Sequence, residues 1–218
     1  MTILVTCRGV SRTYGAGEAA TLALRSTSCD VQSGARIAIT GPSGSGKSTL
    51  LHLLAGLDDP SDGAVTWPAL GMRDELRPGP VAIVFQGPSL LPPLSVIENV
   101  ALPRQLAGVS SAEALSEARR ALERLDLLDL ADKLPEEISG GQAQRVAVAR
   151  VLASRPALIL ADEPTSQLDR ENGTHVIDVL LEAADATGAA LVIATHDHAI
   201  ADRFATRWTV ADGAVETG

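Results

Sequence analysis

The chain has 218 residues, 45% of them hydrophobic but only 2% aromatic, and a formal net charge of -9. That length and apolar content exclude global disorder and allow one sizeable core, which must be built from Leu, Val, Ile and Ala. The acidic balance excludes a general nucleic-acid binder, whose surface has to neutralise phosphates, but not a local basic pocket.

Residues 1 to 40 read as strands joined by turns. "TILVTC", "ATLALRSTSCDV" and "ARIAIT" are rich in β-branched or alternating apolar residues, and Ser33-Gly34 marks a turn. Cys7 and Cys29 fall in the first two of these and read as buried, reduced thiols of an intracellular protein. A helix is predicted from Lys47 to a C-terminal cap at Gly56. "DDPSDG" is a loop, "AVTW" a short strand and "VAIVF" (81–85) a buried one. "QGPSLLPPLS" holds four turn-formers and reads as irregular.

Ser110 and Glu113 predict a capping box opening a helix whose apolar face is Leu115, Ala118, Leu122 and Leu125. "GGQAQRVAVARVLAS" is a second helix ending before Pro156. "ALILAD" and "AALVIAT" are buried strands, with the helix "RENGTHVIDVLLEAADAT" between them and a closing hairpin around Asp212-Gly213 after them. Alternating buried strands and helices predict an α/β fold with a mainly parallel sheet covered on both faces. Two adjacent helices with no strand between them predict a helical subdomain inserted into that core. The stretch "MTILVTCRGV" lacks the pattern of a secretory leader, and no run reaches the about 18 to 20 apolar residues that span a bilayer. The expectation is a soluble protein unless something else holds it at a membrane.

Three stretches carry chemistry. "GPSGSGKST" lies between a strand and a helix and fits G-x-x-x-x-G-K-[ST] over Gly41 to Ser48. Its glycines let backbone N–H groups curl round an anion, and the helix start adds unpaired donors. Lys47 reaches towards the terminal phosphates of a nucleoside triphosphate, and Ser48 offers an oxygen to Mg²⁺. "ALILADEP" puts Asp162 at the carboxyl end of a buried strand, where it serves the metal, with Glu163 beside it to activate or orient water. "ISGGQ" forms a second anion site from a serine, two glycines and a helix start. His196, Asp197 and His198 alone would hint at a transition metal, but no cysteine or further histidine stands near them in sequence.

Together these stretches, over nearly the full length, resemble the nucleotide-binding subunit of an ATP-binding cassette (ABC) transporter. "GPSGSGKST" resembles Walker A, "ALILADE" Walker B, and "ISGGQ" the LSGGQ signature with Ile138 for Leu. Gln86 matches the Q-loop, "SQLD" (166–169) the D-loop with Gln167 in place of a small residue, and His196 the switch histidine. Tyr14 is placed like the aromatic that stacks on adenine.

The resemblance implies a P-loop NTPase (RecA-like) core spanning 1–218 as one nucleotide-binding domain. An N-terminal antiparallel β subdomain accompanies it, and a helical subdomain is inserted at roughly 88–155. It implies ATP and Mg²⁺ as cofactors. Gly41, Ser43, Gly44, Ser45, Gly46, Lys47, Ser48 and Thr49 cradle the nucleotide with Tyr14, Ser139, Gly140, Gly141, Gln142 and Asp169. Ser48, Gln86 and Asp162 serve the metal. Glu163, His196, Lys47 and Gln86 serve hydrolysis.

It also implies a head-to-tail homodimer in the ATP-bound state, each ATP held between the Walker A of one copy and the SGGQ of the other. A membrane permease subunit is the partner, no nucleic acid is, and the location is cytoplasmic, at the inner face of the membrane. "GPSLLPPLSVIENVALP" is apolar and proline-stiffened, and it is expected to be partly exposed and to help dock the permease. "SVIENVALP", "LLHLLAGLDDPSDG" and "DEPTSQLD" are similar to the macrolide-export and lipoprotein-release branch. The related cell-division ATPases, which transmit force without transport, stay open as an alternative, and a soluble ABC ATPase is a weaker one.

Overall fold

The computed structural model describes residues 2–87 and 89–217. Strand β1 (Ile3–Tyr14) runs antiparallel to β2 (Thr21–Gln32), with β4 (Asp62–Thr66) on its other edge. Irregularities in the β1–β2 register bend this three-stranded sheet. Cys7 faces Cys29 across the pair, both thiols free and buried.

The second sheet has six strands in the order β5 (Val81–Val84), β6 (Leu158–Asp162), β7 (Ala190–Ala194), β3 (Arg36–Thr40), β8 (Thr206–Ala211) and β9 (Ala214–Thr217). Every neighbouring pair is parallel except β8 and β9, the closing hairpin. Alternation along the strands feeds two apolar cores. Ile159, Ala161, Leu191 and Ile193 point to one face; Leu158, Leu160, Val192 and Ala194 point to the other. Burying such side chains contributes roughly 1.5–3 kcal/mol each, which is why both faces must be covered.

Helix α1 (Lys47–Leu54) covers the second face together with the three-stranded sheet, through Leu50, Leu54, Val5 and Leu24. The first face carries α5 (Arg170–Thr187) and three helices inserted between β5 and β6: α2 (Val96–Leu106), α3 (Ser111–Glu123) and α4 (Gly140–Ser154). The sequence predicts two of those three. The third, α2, hides behind the prolines that precede it and Pro103 in its last turn. Its start is nonetheless encoded: Ser95 and Glu98 form a complete capping box, each side chain bonded to the other's backbone N–H. At α3 only half of the predicted box forms; the Ser110 hydroxyl accepts from the Glu113 N–H. A single turn, α6 (His198–Ala201), follows β7. Among the described residues, no helix is long and apolar enough to cross a membrane.

Candidate active site

The carboxyl ends of β3, β5, β6 and β7 converge at one edge of the parallel sheet. Register puts Ala161 beside Val84 and Asp162 beside Ala194, so Gln86, Glu163 and His196 all lie just past their strand ends. Gly41 follows β3 at the same edge. This is where open α/β sheets collect their ligands.

The phosphate loop is walled by backbone. A Cβ on Gly41 (φ +149°) would lie 2.0 Å from the Val210 carbonyl oxygen, and one on Gly46 (φ +110°) 2.3 Å from the Ala23 carbonyl oxygen. No side chain fits at either point, so glycine is required by close approach as well as by dihedral. The Gly213 N–H donates to the Ser45 carbonyl at 3.1 Å, so the turn of the β8–β9 hairpin braces the loop from behind. Helix α1 starts from Gly46, which has no side chain to cap it, and has no acidic residue in its first turn. Its leading N–H groups and positive dipole end are left for an anion. Lys47 is buried, and its Nζ donates to the carbonyls of Gly41 and Pro42, both at 2.9 Å. The ammonium is held over the loop. Ser43 and Gly44 are exposed at the tip of the loop, Ser48 is half-buried, and Ser45 and Thr49 are buried.

Asp162 is 4% exposed, and its Oδ1 has no hydrogen-bond partner among the described residues. A buried carboxylate oxygen without a donor is costly unless a cation or an ordered water meets it. Hard oxygens from Asp162 and Ser48 are the donor type that suits Mg²⁺.

Glu163 has left-handed backbone (φ +46°), rare for a residue with a Cβ, and its N–H is tied to the Ala194 carbonyl at 2.9 Å. Strain of this kind concentrates at functional positions. It turns the Glu163 carboxylate to His196, whose Nδ1 lies 2.9 Å from Oε2. The His196 backbone is fixed on both sides. The buried Thr195 hydroxyl accepts from the Asp197 N–H, and the Asp197 carboxylate accepts from the Ala199 N–H.

The signature corner is built differently. Ser139 caps α4 and exchanges bonds with Gln142. The Ser139 Oγ accepts from the Gln142 N–H at 3.2 Å, and the Gln142 Oε1 accepts from the Ser139 N–H at 2.8 Å. Because Oγ acts there as an acceptor, its proton is still available to donate. Ser139 and Gly140 are exposed. Gly140 and Gly141 lie against Gln167 and Leu168 of the loop after β6; a Cβ on Gly140 would come 2.9 Å from the Gln167 Oε1. Asp169 ends that loop as the N-cap of α5. Both its oxygens accept from Asn172, bonds that hold its carboxyl below the usual range.

Tyr14 sits at the end of β1 with a support that the sequence reading misses. Its hydroxyl donates to Asp58 at 2.7 Å, and the Arg12 guanidinium lies 4.6 Å from its ring centre while pairing with the same Asp58. One ring face is thus covered by a cation. Burial pushes the Asp58 carboxyl up, but bonds from the Tyr14 hydroxyl and the Asp59 N–H, with the charge of Arg12, leave it below its ordinary value. "DDPSDG" looks like a plain loop, and nothing in its spacing marks Asp58 as the partner of Arg12 and Tyr14, 46 and 44 residues away.

The described residues of 86–95 are irregular, as expected, and those of 87–103 are partly exposed, but the segment does not stay irregular to its end. Residues 96 onward are helical, with Val96, Ile97, Val100 and Ala101 buried in the core. The buried Asn99 pins residues 91–95 by donating to three of their carbonyls and accepting from the Leu91 N–H. Leu91, Pro92, Pro93 and Glu98 are exposed, and Ser89, Leu102 and Pro103 line one side of a groove of about 500 Å³. Phe85, Leu106 and Val151 supply more of its apolar lining, and Arg77 and Arg150 supply charge.

The comparisons with known proteins agree with this geometry. The sequence profile of the ABC transporter family matches residues 24–166. The chain is 38% identical over 218 residues to the lipoprotein-releasing system ATP-binding protein LolD of Shewanella sp. (strain MR-4), covering 97% of this chain and 94% of that protein. It is 41% identical over 208 residues to LolD of Legionella pneumophila (strain Paris), covering 92% of each. Among solved structures it is similar to the ATP-binding cassette MJ0796 in a dimeric post-hydrolysis state bound to ADP and Pi, with TM-score 0.91, 35% identity and 98% of both chains covered. With a glycine-walled phosphate loop, a buried strand-end aspartate and a glutamate–histidine pair on one sheet edge, the chain belongs to the ABC transporter family and is an ATPase of that family.

Proposed function

We propose that this chain is the ATP-hydrolysing subunit of a lipoprotein-release type transporter, and that it works by closing head to tail on a second copy and driving a separate membrane permease. The observation that carries the reading is the 2.9 Å pair of Glu163 and His196 next to Asp162, whose Oδ1 has no partner among the described residues, at the sheet edge where the phosphate loop begins. The similarity to the LolD proteins and to the dimeric cassette supports the class of transporter and the pairing.

ATP lies with its phosphates on the N–H groups of residues 43–49 and the Lys47 ammonium, and with its adenine on the free face of Tyr14. Asp162, Ser48 and Gln86 are the residues that would hold Mg²⁺, and the ion would supply neutralising charge to the phosphates. Glu163 accepts the proton of the attacking water, and His196 keeps its carboxylate aimed by donating from Nδ1 to Oε2. Ser139 and the N–H groups of Gly140 and Gly141 of the partner copy complete the cage from the other side, with Gln142 and Asp169 shaping the corner rather than touching phosphate. Closure is driven by a ligand that contacts both halves, and hydrolysis removes that bridge.

The groove between β5, α2 and α4 receives a short helix of the permease. Arg77 and Arg150 line it with no ion pair among the described residues, and burial lowers the pKa of both guanidiniums. Covering them without an opposite charge is costly, so the fitting segment is apolar and carries a carboxylate. The location follows from this contact: inside the cell, at the membrane, through the permease.

The test is a mixed dimer carrying Ser139→Cys on one copy and Ser43→Cys on the other, in a Glu163→Gln background. Magnesium–ATP is expected to bring the two sulfurs into crosslinking range, and ADP is not. Absence of the crosslink at saturating ATP, with the permease present, overturns the head-to-tail site. Reconstitution with the permease in vesicles then reads lipoprotein release directly.

A further inference from the structure

We infer that Gln144 and Arg150 are positioning residues through which α4 couples the two nucleotide sites of the dimer, by gripping both ends of the Gln86 loop. The inference rests on the head-to-tail reading above. Gln144 is fully buried, and its Nε2 donates to the Phe85 carbonyl at 3.1 Å. Arg150 donates to the Ser89 carbonyl at 2.8 Å and to the Ser89 hydroxyl at 2.6 Å. Phe85 and Ser89 bracket Gln86. The two gripping side chains are six residues apart in the second and third turns of one helix of 15 residues, and that helix starts at the signature corner.

Neither side chain is what a simple packing contact selects. Val146, Val148 and Val151 of the same helix fill its core faces with apolar groups. Gln144 instead places an amide there whose Oε1 has no partner among the described residues. A buried amide satisfied on one side only is expensive as glue. It does suit a joint with two settings, because the free oxygen can take a new donor when the loop shifts. Arg150 is likewise desolvated while its hydrogen bonds go to an exposed serine rather than to a carboxylate.

A helix is stiff along its axis, so a pull on Phe85 and Ser89 is delivered at Ser139. Gln86 answers to the nucleotide on its own phosphate loop, whereas Ser139 meets the nucleotide held by the partner copy. Occupancy of one site is therefore transmitted to the other as a tilt of α4, and the coupling is reciprocal because binding linkage requires it.

The measurement is steady-state ATPase rate against ATP concentration for the full chain, Gln144→Leu, Arg150→Met and Ser89→Ala. The parent is expected to show a Hill coefficient approaching the ceiling of about 2 for two sites, and Gln144→Leu and Arg150→Met to fall towards 1. Ser89→Ala removes only the hydroxyl acceptor from an exposed residue, keeps the fold, and is expected to lie between. Arg150→Lys, retaining one donor to Ser89, is expected to recover part of the coupling. ATP affinity of the isolated protomer, measured below the dimerisation concentration, is expected to stay within about twofold, since Walker A is untouched. A purely structural role would lower melting temperature and turnover together and leave the Hill coefficient where it was; that result, or a parent Hill coefficient of 1, overturns the inference. A Glu163→Gln parent that fails to dimerise with ATP instead overturns the head-to-tail reading beneath it.

Discussion

The phosphate loop and the signature corner are both glycine-bearing helix starts aimed at phosphate, yet they are built in opposite ways. The loop is enclosed: Ala23 of β2 and, from the β8–β9 hairpin, Val210 and the Gly213 N–H press on it from two chain segments, and its lysine is buried. The corner is exposed and held by its own capping box, with only the loop after β6 against it. A site that must hold charge at all times is braced from within. A surface that must meet another copy and part from it again is left open, and its ordering comes from four consecutive residues. The difference teaches that binding energy is stored in one half and switching in the other.

Substitutions can break that contrast. Glu163→Gln keeps both halves and removes the proton acceptor, so phosphate release is expected to fall by about 10²–10⁴-fold while an ATP-bound dimer accumulates on size exclusion. Turnover at the parent rate would remove Glu163 from its role. Gly41→Ala drives a Cβ into the Val210 carbonyl. ATP affinity by titration is expected to drop by about 100-fold, or ~2.7 kcal/mol, because the braced half cannot yield. Ser139→Ala attacks the open half. The protomer's ATP affinity should not change, turnover should fall by about tenfold, and loss of the cap costs about 1 kcal/mol, a fall of roughly 2–4 °C in melting temperature. If protomer affinity falls as far as turnover, the two halves are not separable.

Arg12→Ala tests the smaller support under adenine. Removing the cation from the Tyr14 ring and from Asp58 is expected to weaken ATP by about threefold, in line with ~0.5–1 kcal/mol for an exposed cation–π contact. The same cluster sets a pH dependence. The folded-state pKa of Asp58 is depressed, so its contribution is present above the ordinary carboxylate value of about 4 and is lost as pH falls through the lower folded value. Denaturant midpoints taken from about pH 6 to 2 should therefore fall less steeply in Asp58→Asn than in the parent.

Much of this protein was readable along the chain because its signals are local. The strands flanking Gly41–Thr49, Asp162 and His196 are continuous apolar runs, and a buried strand end followed by a polar residue is a short-range pattern. Helix α4 begins and ends where its glycines and Pro156 put it. Local rules also failed in local ways. Helix α2 was obscured because two prolines before it and Pro103 within it outweighed the Ser95–Glu98 box, while tertiary burial of Val96, Ile97 and Val100 decided the matter.

What sequence determined by itself was the chemistry of each segment: glycines where backbone must approach an anion, acids at strand ends, a capped helix at the signature. What only the tertiary structure decided was partnership across distance. The pairing of Glu163 with His196, of Tyr14 with Asp58, of Gly41 with Val210 and of Gln144 with Phe85 joins residues 33, 44, 169 and 59 positions apart. Periodicity and capping act over a few residues and leave such pairs unspecified. They are fixed only when strand order and register bring together β6 with β7, β3 with β8 and β1 with β4, and when α4 packs beside the end of β5.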